Sequence, residues 1–259
     1  MQNRYVGDIG DFSKYRLLKT FSENGLTLTL GINWYLVEPT LKEIERKPND
    51  GKLTKYLDKD ESELRVIDPK LFDSLKSILK NGEIHRNISS IEKEVLPRIS
   101  FFSDYVTFKD DRESWFKESV SSLKKCDIIF FDPDNGILAE SVSKSSEKAV
   151  KYVLLDEIKS IYSIEKSIIV YQHTKRKGKV EFQIKERIEQ LEELLGINEM
   201  NLIKVIYTGK GASRYYIVIM QEKHSQAIDL SINSLMQFNE TTKLFGLFDK
   251  TKMEIRYSI

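Results

Sequence analysis

Asp132, Asp134 and Asn135 stand together in the stretch Asp132-Pro133-Asp134-Asn135-Gly136, directly after the apolar run Ile128-Ile129-Phe130-Phe131. Carboxylates so placed can act as proton acceptors or steady developing positive charge. An apolar run bounded by turn signals predicts a strand covered on both faces, as in a parallel sheet. Ligands of open α/β sheets sit outside the carboxyl ends of the strands, where these three side chains would project. Pro, Asp, Asn and Gly also make ordinary surface turns, but two carboxylates beside a buried strand favour a site.

A second group is cationic. His173-Thr174-Lys175-Arg176-Lys177-Gly178-Lys179 follows another apolar run and concentrates Lys175, Arg176, Lys177 and Lys179 in one loop. Phosphate contacts supply most sequence-independent affinity for RNA or DNA. The loop is therefore a candidate phosphate site, which Lys210 and Arg214 could extend; a solvated loop before a helix is the plainer reading. A third group is Pro133-Asp134 with Glu157-Ile158-Lys159, the P-D…(D/E)-x-K pattern of metal-dependent nucleases, where two carboxylates hold a divalent cation and a lysine assists the attacking water. That chemistry needs Glu157 and Lys159 on a strand, whereas the apolar spacing from Val150 to Tyr162 is helical. His85, His173 and His224 each lack a second ligand at helical or strand spacing, which argues against a histidine metal site.

The elements that must carry these groups follow from pattern. Asp11 as an N-cap, then Phe12, Tyr15, Leu17, Leu18 and Phe21 up to Asn24-Gly25, predicts a first helix. Leu26 to Val37 is β-rich and closes at Glu38-Pro39; Trp34 and Tyr35 within it read as core rather than as a base-stacking platform. Residues 39–87 are highly charged, contain Pro-Asn-Asp-Gly at 48–51 and a helix through Leu71, Leu75 and Leu79, and read as an insertion over the sheet. A strand over 99–106, a helix over 112–125 carrying Trp115, Phe116, Val120 and Leu123, the strand before Asp132, a helix over 150–162 and a strand over 167–171 come next. A helix from Val180 to Leu195 stops at Gly196. Strands over 202–207 and 214–220 are joined by 208–213, short enough for a hairpin, and a last helix spans 225–238. Alternating strands and helices with a closing hairpin predict an α/β fold: a doubly wound, mostly parallel, Rossmann-like sheet with an antiparallel strand at one side, in a single domain.

Composition narrows the partners. The 259 residues carry 41 basic and 40 acidic side chains, a formal charge of +1, so any nucleic-acid contact must come from a local patch. The single Cys126 excludes an intramolecular disulfide and a multi-cysteine zinc site. No signal-peptide layout opens the sequence and no apolar stretch approaches a bilayer span, so a cytoplasmic protein is expected.

The stretch Tyr5-Val6-Gly7-Asp8-Ile9-Gly10-Asp11-Phe12-Ser13-Lys14-Tyr15 resembles the H-A-G-N-x-A-D-x-x-K-H stretch of the bacterial 23S ribosomal RNA adenine-N6 methyltransferases. Gly7, Asp11 and Lys14 coincide at the same spacing, and Asp8 stands where that family has Asn. The resemblance implies a methyltransferase-like topology, S-adenosylmethionine as methyl donor, and an amine of nucleic acid or a nucleotide-like molecule as acceptor. It gives Lys14, with Gly7, Asp8 and Asp11, to the cofactor side and Asp132 to the target amine, with Asp134 and Asn135 shaping the acceptor pocket. Two departures stand out. Asp134 and Asn135 replace the second proline and the stacking aromatic of the D-P-P-Y motif. Val37-Glu38-Pro39-Thr40 replaces a glycine-rich loop, leaving Asn49-Asp50-Gly51 as the nearby candidate. The chain also resembles bacterial proteins of no assigned activity that share Y-V-G-D-x-G-D-F, W-Y-L, N-D-G and F-D-P-D-N-G. A metal-dependent nuclease and a non-catalytic binding or scaffold module are the alternatives.

Overall fold

Helix α1 (Ile9–Glu23) precedes strand β1 (Leu30–Asn33). Between β1 and β2 (Ser100–Phe102) lie α2 (Leu41–Arg46), α3 (Glu63–Ile67), α4 (Pro69–Lys80) and α5 (Ile88–Glu94). Then follow α6 (Asp111–Ser122), β3 (Ile128–Phe131), the short strands β4 (Gly136–Ile137) and β5 (Tyr152–Val153), α7 (Leu155–Ser163), β6 (Ser167–His173), α8 (Val180–Leu195), β7 (Ile203–Thr208), β8 (Arg214–Ile219) and α9 (Glu222–Thr241). The structure is a computed structural model and describes residues 1–23, 28–59, 62–108, 111–175, 177–198, 201–208 and 213–241.

Six strands form one sheet in the order β2-β1-β3-β6-β8-β7. The first four are mutually parallel, and β8 inserts antiparallel to both β6 and β7. From β1 the chain runs outward to β2 on one side, and then returns to β3 on the other, which makes the β1/β3 junction the switch point of the sheet. Strand alternation sorts the core into two layers. Ile32, Ile128, Phe130, Ile169 and Val218 pack under α1, α4, α5 and α9, while Ile129, Phe131, Ile168, Val170 and Ile217 pack under α6, α7 and α8. With helices on both faces the sheet is doubly wound, as the pattern predicts, and the central β3 is apolar throughout because both of its faces are covered.

Helix α8 runs over the predicted residues and ends at Gly196, whose φ of 65° supplies the left-handed turn. Other boundaries differ from expectation: the strand expected over 99–106 is only Ser100–Phe102. Asp11 is not the N-cap: α1 starts at Ile9, the Asp8 carboxylate accepts from the Gly10 amide at 3.0 Å, and Asp11 lies inside the first turn. The β-rich run over 26–37 gives only a short strand. Asn33 Oδ1 takes the Tyr35 amide, Tyr35 turns to a φ of 47°, and the chain touches the sheet again in the Leu36–Tyr105 bridge; 24–27 lie outside the described residues. The helical spacing from Val150 covers two elements, because Tyr152 and Val153 pair with Gly136 and Ile137 before α7 begins. The insertion is not only a charged cover, since Leu71, Phe72, Leu75 and Ile78 of α4 are buried in the core. Among the described residues no helix is long and apolar enough to cross a membrane.

Candidate functional site

The strand carrying Phe130 and Phe131 delivers Asp132 directly after it, where the Asp132 amide donates to the Asn33 carbonyl at 3.0 Å, on the α1 side of the sheet by alternation. There Asp132 meets Lys14, which α1 presents three residues after Asp11. Lys14 Nζ donates to Asp132 Oδ2 at 2.8 Å and lies 3.1 Å from Asp11 Oδ1; Lys14 is 2% and Asp132 1% exposed. Burial opposes the charge on Lys14, but the two carboxylates outweigh it and hold its pKa above the usual lysine value. Burial pushes the Asp132 carboxyl above the usual carboxylate range, and Lys14 and the Met1 ammonium pull it back. Asp134 is lowered instead. Burial raises it, but the Met1 ammonium at 3.0 Å and Lys151 prevail, and Gln2 Nε2 donates to its Oδ2 at 2.6 Å. The Met1 ammonium also donates to the carbonyls of Tyr35 and Asp132, both at 2.9 Å.

These residues line a cavity of about 370 Å³ at the carboxyl ends of β3 and β6, within the range of small-molecule sites. One wall is the insertion: Glu43, Arg46, Lys47, Asn49, Asp50, Gly51 and Leu53. This wall is fastened. Asp50 Oδ2 accepts from Tyr5 at 3.0 Å and Arg4 at 3.2 Å, the Leu53 amide donates to Asp8 at 3.1 Å, Arg86 donates to the Gly51 carbonyl, and Lys151 pairs with Glu43. The opposite wall holds Tyr171, His173 and Arg214. Tyr171 and His173 share a hydrogen bond of 3.0 Å, and the Arg214 guanidinium lies over the Tyr171 ring at 5.6 Å. Burial, with Arg214 second, pushes the His173 pKa down to about 4, so this imidazole is neutral near pH 7.

The carboxylates of the cavity differ in what they leave unfilled. Asp8, Asp11 and Glu43 each have a donor or cation on both oxygens, and Asp134 accepts from Gln2 on Oδ2 while its buried Oδ1 has the Met1 ammonium at 3.0 Å as an ion pair without a hydrogen bond. Asp132 and Asp50 have partners on Oδ2 alone; Asp50 is half-buried, whereas Asp132 is buried and, among the described residues, no donor meets its Oδ1. Asn135 also lines the cavity, its amide donating to the Lys151 carbonyl at 3.0 Å and its carbonyl accepting from Gln172.

The other predicted groups fall elsewhere. Gly7 is not a cavity residue: its φ is 79° and its Cα faces Leu79. Lys175, Lys177 and Lys179 are exposed and none lines the cavity, while Arg176 lies outside the described residues, as does Lys210. Gln183 fixes that loop by accepting from the Lys175 amide at 2.7 Å and donating to the Lys175, Lys177 and Gly178 carbonyls, and Lys175 pairs with Glu186. Among the described residues of the basic group, Arg214 alone reaches the site. Glu157 is held on the other face by Arg112 and Tyr35 and caps α7 through the Leu154 amide, and Lys159 is exposed. Asp134, Glu157 and Lys159 are thus not brought to one cavity, and no cluster of three or more potential metal ligands occurs among the described residues.

Sequence reasoning missed Tyr171, His173, Arg4, Tyr5, Glu43 and Lys151. His173, at the end of the buried strand beside that of Asp132, carried the one usable signal. S-adenosylmethionine does not fit the place the fold would give it. The turn after β1 is filled by Trp34 and Tyr35, both fully buried and bonded through Trp34 Nε1 to Glu92 and the Tyr35 hydroxyl to Glu157. Lys14, already shared by two carboxylates, has little to offer the methionine carboxylate. No protein-family model, no curated protein and no solved structure matches this chain.

Proposed function

We propose that the protein binds a nucleotide-like molecule in this cavity through an exocyclic amine, and acts on that amine with Asp132. The observation that carries this reading is Asp132 Oδ1, a carboxylate oxygen in a buried site with no protein donor. An amine conjugated to a ring is a poor nucleophile because its lone pair is delocalised. Accepting one N–H draws that pair back to the nitrogen, and the carboxylate steadies the positive charge as a bond forms. Lys14 anchors the other oxygen, so Asp132 is oriented before the substrate arrives. Its raised pKa suits it to take the proton afterwards.

Methyl transfer is the second reading. The strand order favours it. The filled turn after β1 weighs against it. Calorimetric titration separates the two. Adenosine and cytidine should bind about tenfold more tightly than inosine and uridine, the difference of one charge-assisted hydrogen bond, and Asp132→Asn should erase that preference. Equal binding of the amine-bearing and amine-free nucleosides would sink the amine reading. Absence of S-adenosylmethionine and S-adenosylhomocysteine binding at about millimolar ligand removes methyl transfer and leaves the amine reading standing.

A further inference from the structure

The cations of the cavity divide as sharply as its carboxylates. Lys14 is held by Asp11 and Asp132, Arg4 by Asp50 and Gln2, and Lys151 by Glu43 and Asp134. Arg46 and Lys47, at the carboxyl end of α2, also line the cavity, yet both are exposed and neither makes an ion pair among the described residues. The cavity therefore has a fully buried unfilled acceptor, Asp132 Oδ1, a second, half-buried one on Asp50, and two unpaired cations at its mouth. A ligand that satisfies both ends carries an N–H donor at one end and an anion at the other. The insertion wall is tied to Arg4, Tyr5, Asp8 and Lys151, and through Arg86 to the Val6 carbonyl, so the space is closed on that side to a strand running through it.

We propose that the substrate is a free mononucleotide bearing an exocyclic amine, with its phosphate between Arg46 and Lys47 at the mouth and its amine on Asp132. This rests on the amine reading of Asp132 and adds to it the phosphate and the size. Guanidinium and ammonium donors make charge-assisted hydrogen bonds to phosphate oxygens, and a phosphate at the mouth keeps part of its hydration. The loop of Lys175, Lys177 and Lys179 is then not the phosphate site, in accord with its place outside the cavity.

The test is calorimetry on the full chain with AMP and CMP, their nucleosides, IMP and UMP, and a twelve-residue oligoadenylate. AMP or CMP should bind about tenfold or more tightly than adenosine or cytidine, and the Arg46→Ala/Lys47→Ala double variant should abolish that difference between nucleotide and nucleoside. Both positions are exposed, so the variant leaves the core intact. Nucleotide and nucleoside binding alike would overturn the phosphate assignment with the amine reading intact. Amine-bearing and amine-free nucleotides binding alike would overturn the amine reading itself. Oligoadenylate binding more tightly than AMP would overturn the mononucleotide, and no nucleotide binding at about millimolar ligand would overturn the proposal as a whole.

Discussion

Asp132 and Lys14 form a buried ion pair whose removal from water is costly unless every remaining valence is satisfied. Lys14 meets that condition with two carboxylates; Asp132 does not, and the unfilled oxygen lies in the cavity. His173 adds a second tension. It is neutral where it is because burial and Arg214 disfavour its proton. The unfolded chain binds that proton near pH 6.5 and the folded protein only near pH 4, so between these values the unfolded state holds more protons. Stability from this residue is complete above pH 6.5 and is lost as pH falls towards 4, at up to about 1.4 kcal/mol per pH unit. His173→Gln, which keeps an acceptor for Tyr171, should flatten that part of the stability curve in urea titrations run from pH 7 to pH 4. An unchanged slope would mean that His173 is solvated and titrates normally.

At the scale of the element, the turn after β3 is what presents the site, and its geometry is set by Gly136. The φ of Gly136 is 98°, and a Cβ there would stand 2.4 Å from the Gln172 side-chain amide. Gln172 in turn accepts from the Ile137 amide at 2.8 Å and donates to the Asn135 carbonyl at 3.2 Å, clamping the turn to β6. Gly136→Ala should cost roughly 1–3 kcal/mol from backbone strain alone, and more from displacing Gln172. Nucleoside affinity should fall further than that of a surface variant such as Lys177→Ala. Unfolding titrations and calorimetry on both variants give the comparison; a stable Gly136→Ala protein with unchanged affinity would show that the clamp does not shape the site. This turn was foreseen from Asp132-Pro133-Asp134-Asn135-Gly136 because turn residues after an apolar run are a local signal. The clamp was not, because a glutamine inside a strand gives no sign of which loop it will meet.

At the scale of the molecule, the two packed layers share every central strand. Trp34 belongs to the layer under α1 and Trp115 to the layer under α6, and the chain has no other tryptophan. Each indole therefore reports on one face of the sheet. In Trp34→Phe and Trp115→Phe variants the remaining tryptophan should show unfolding transitions that coincide with the circular dichroism of the same variant, as one cooperative unit requires. Ile129→Ala and Phe130→Ala, adjacent in β3 but facing opposite layers, should each lower stability by about 2–5 kcal/mol, seen by whichever tryptophan remains. Separate transitions for the two indoles would mean that the layers unfold independently.

Periodicity determined the alternation of strands and helices, the buried β3 and β6, the bounds of α8 at Val180 and Gly196, and the antiparallel hairpin, because each depends on residues within about one element of one another. Spacing also placed Lys14 and Asp132 in one site through resemblance. Only the tertiary structure decided that the Met1 ammonium and Gln2 meet both oxygens of Asp134, that the insertion walls the cavity with Arg46 and Lys47 at its mouth, and that the lysine-rich loop points elsewhere. The physical reason is the range of the interactions. Side-chain pattern reports which face of an element is dry, but which distant charge finds which partner depends on how the crossovers bring strand ends together, and that pairing decides which groups are left to meet a ligand.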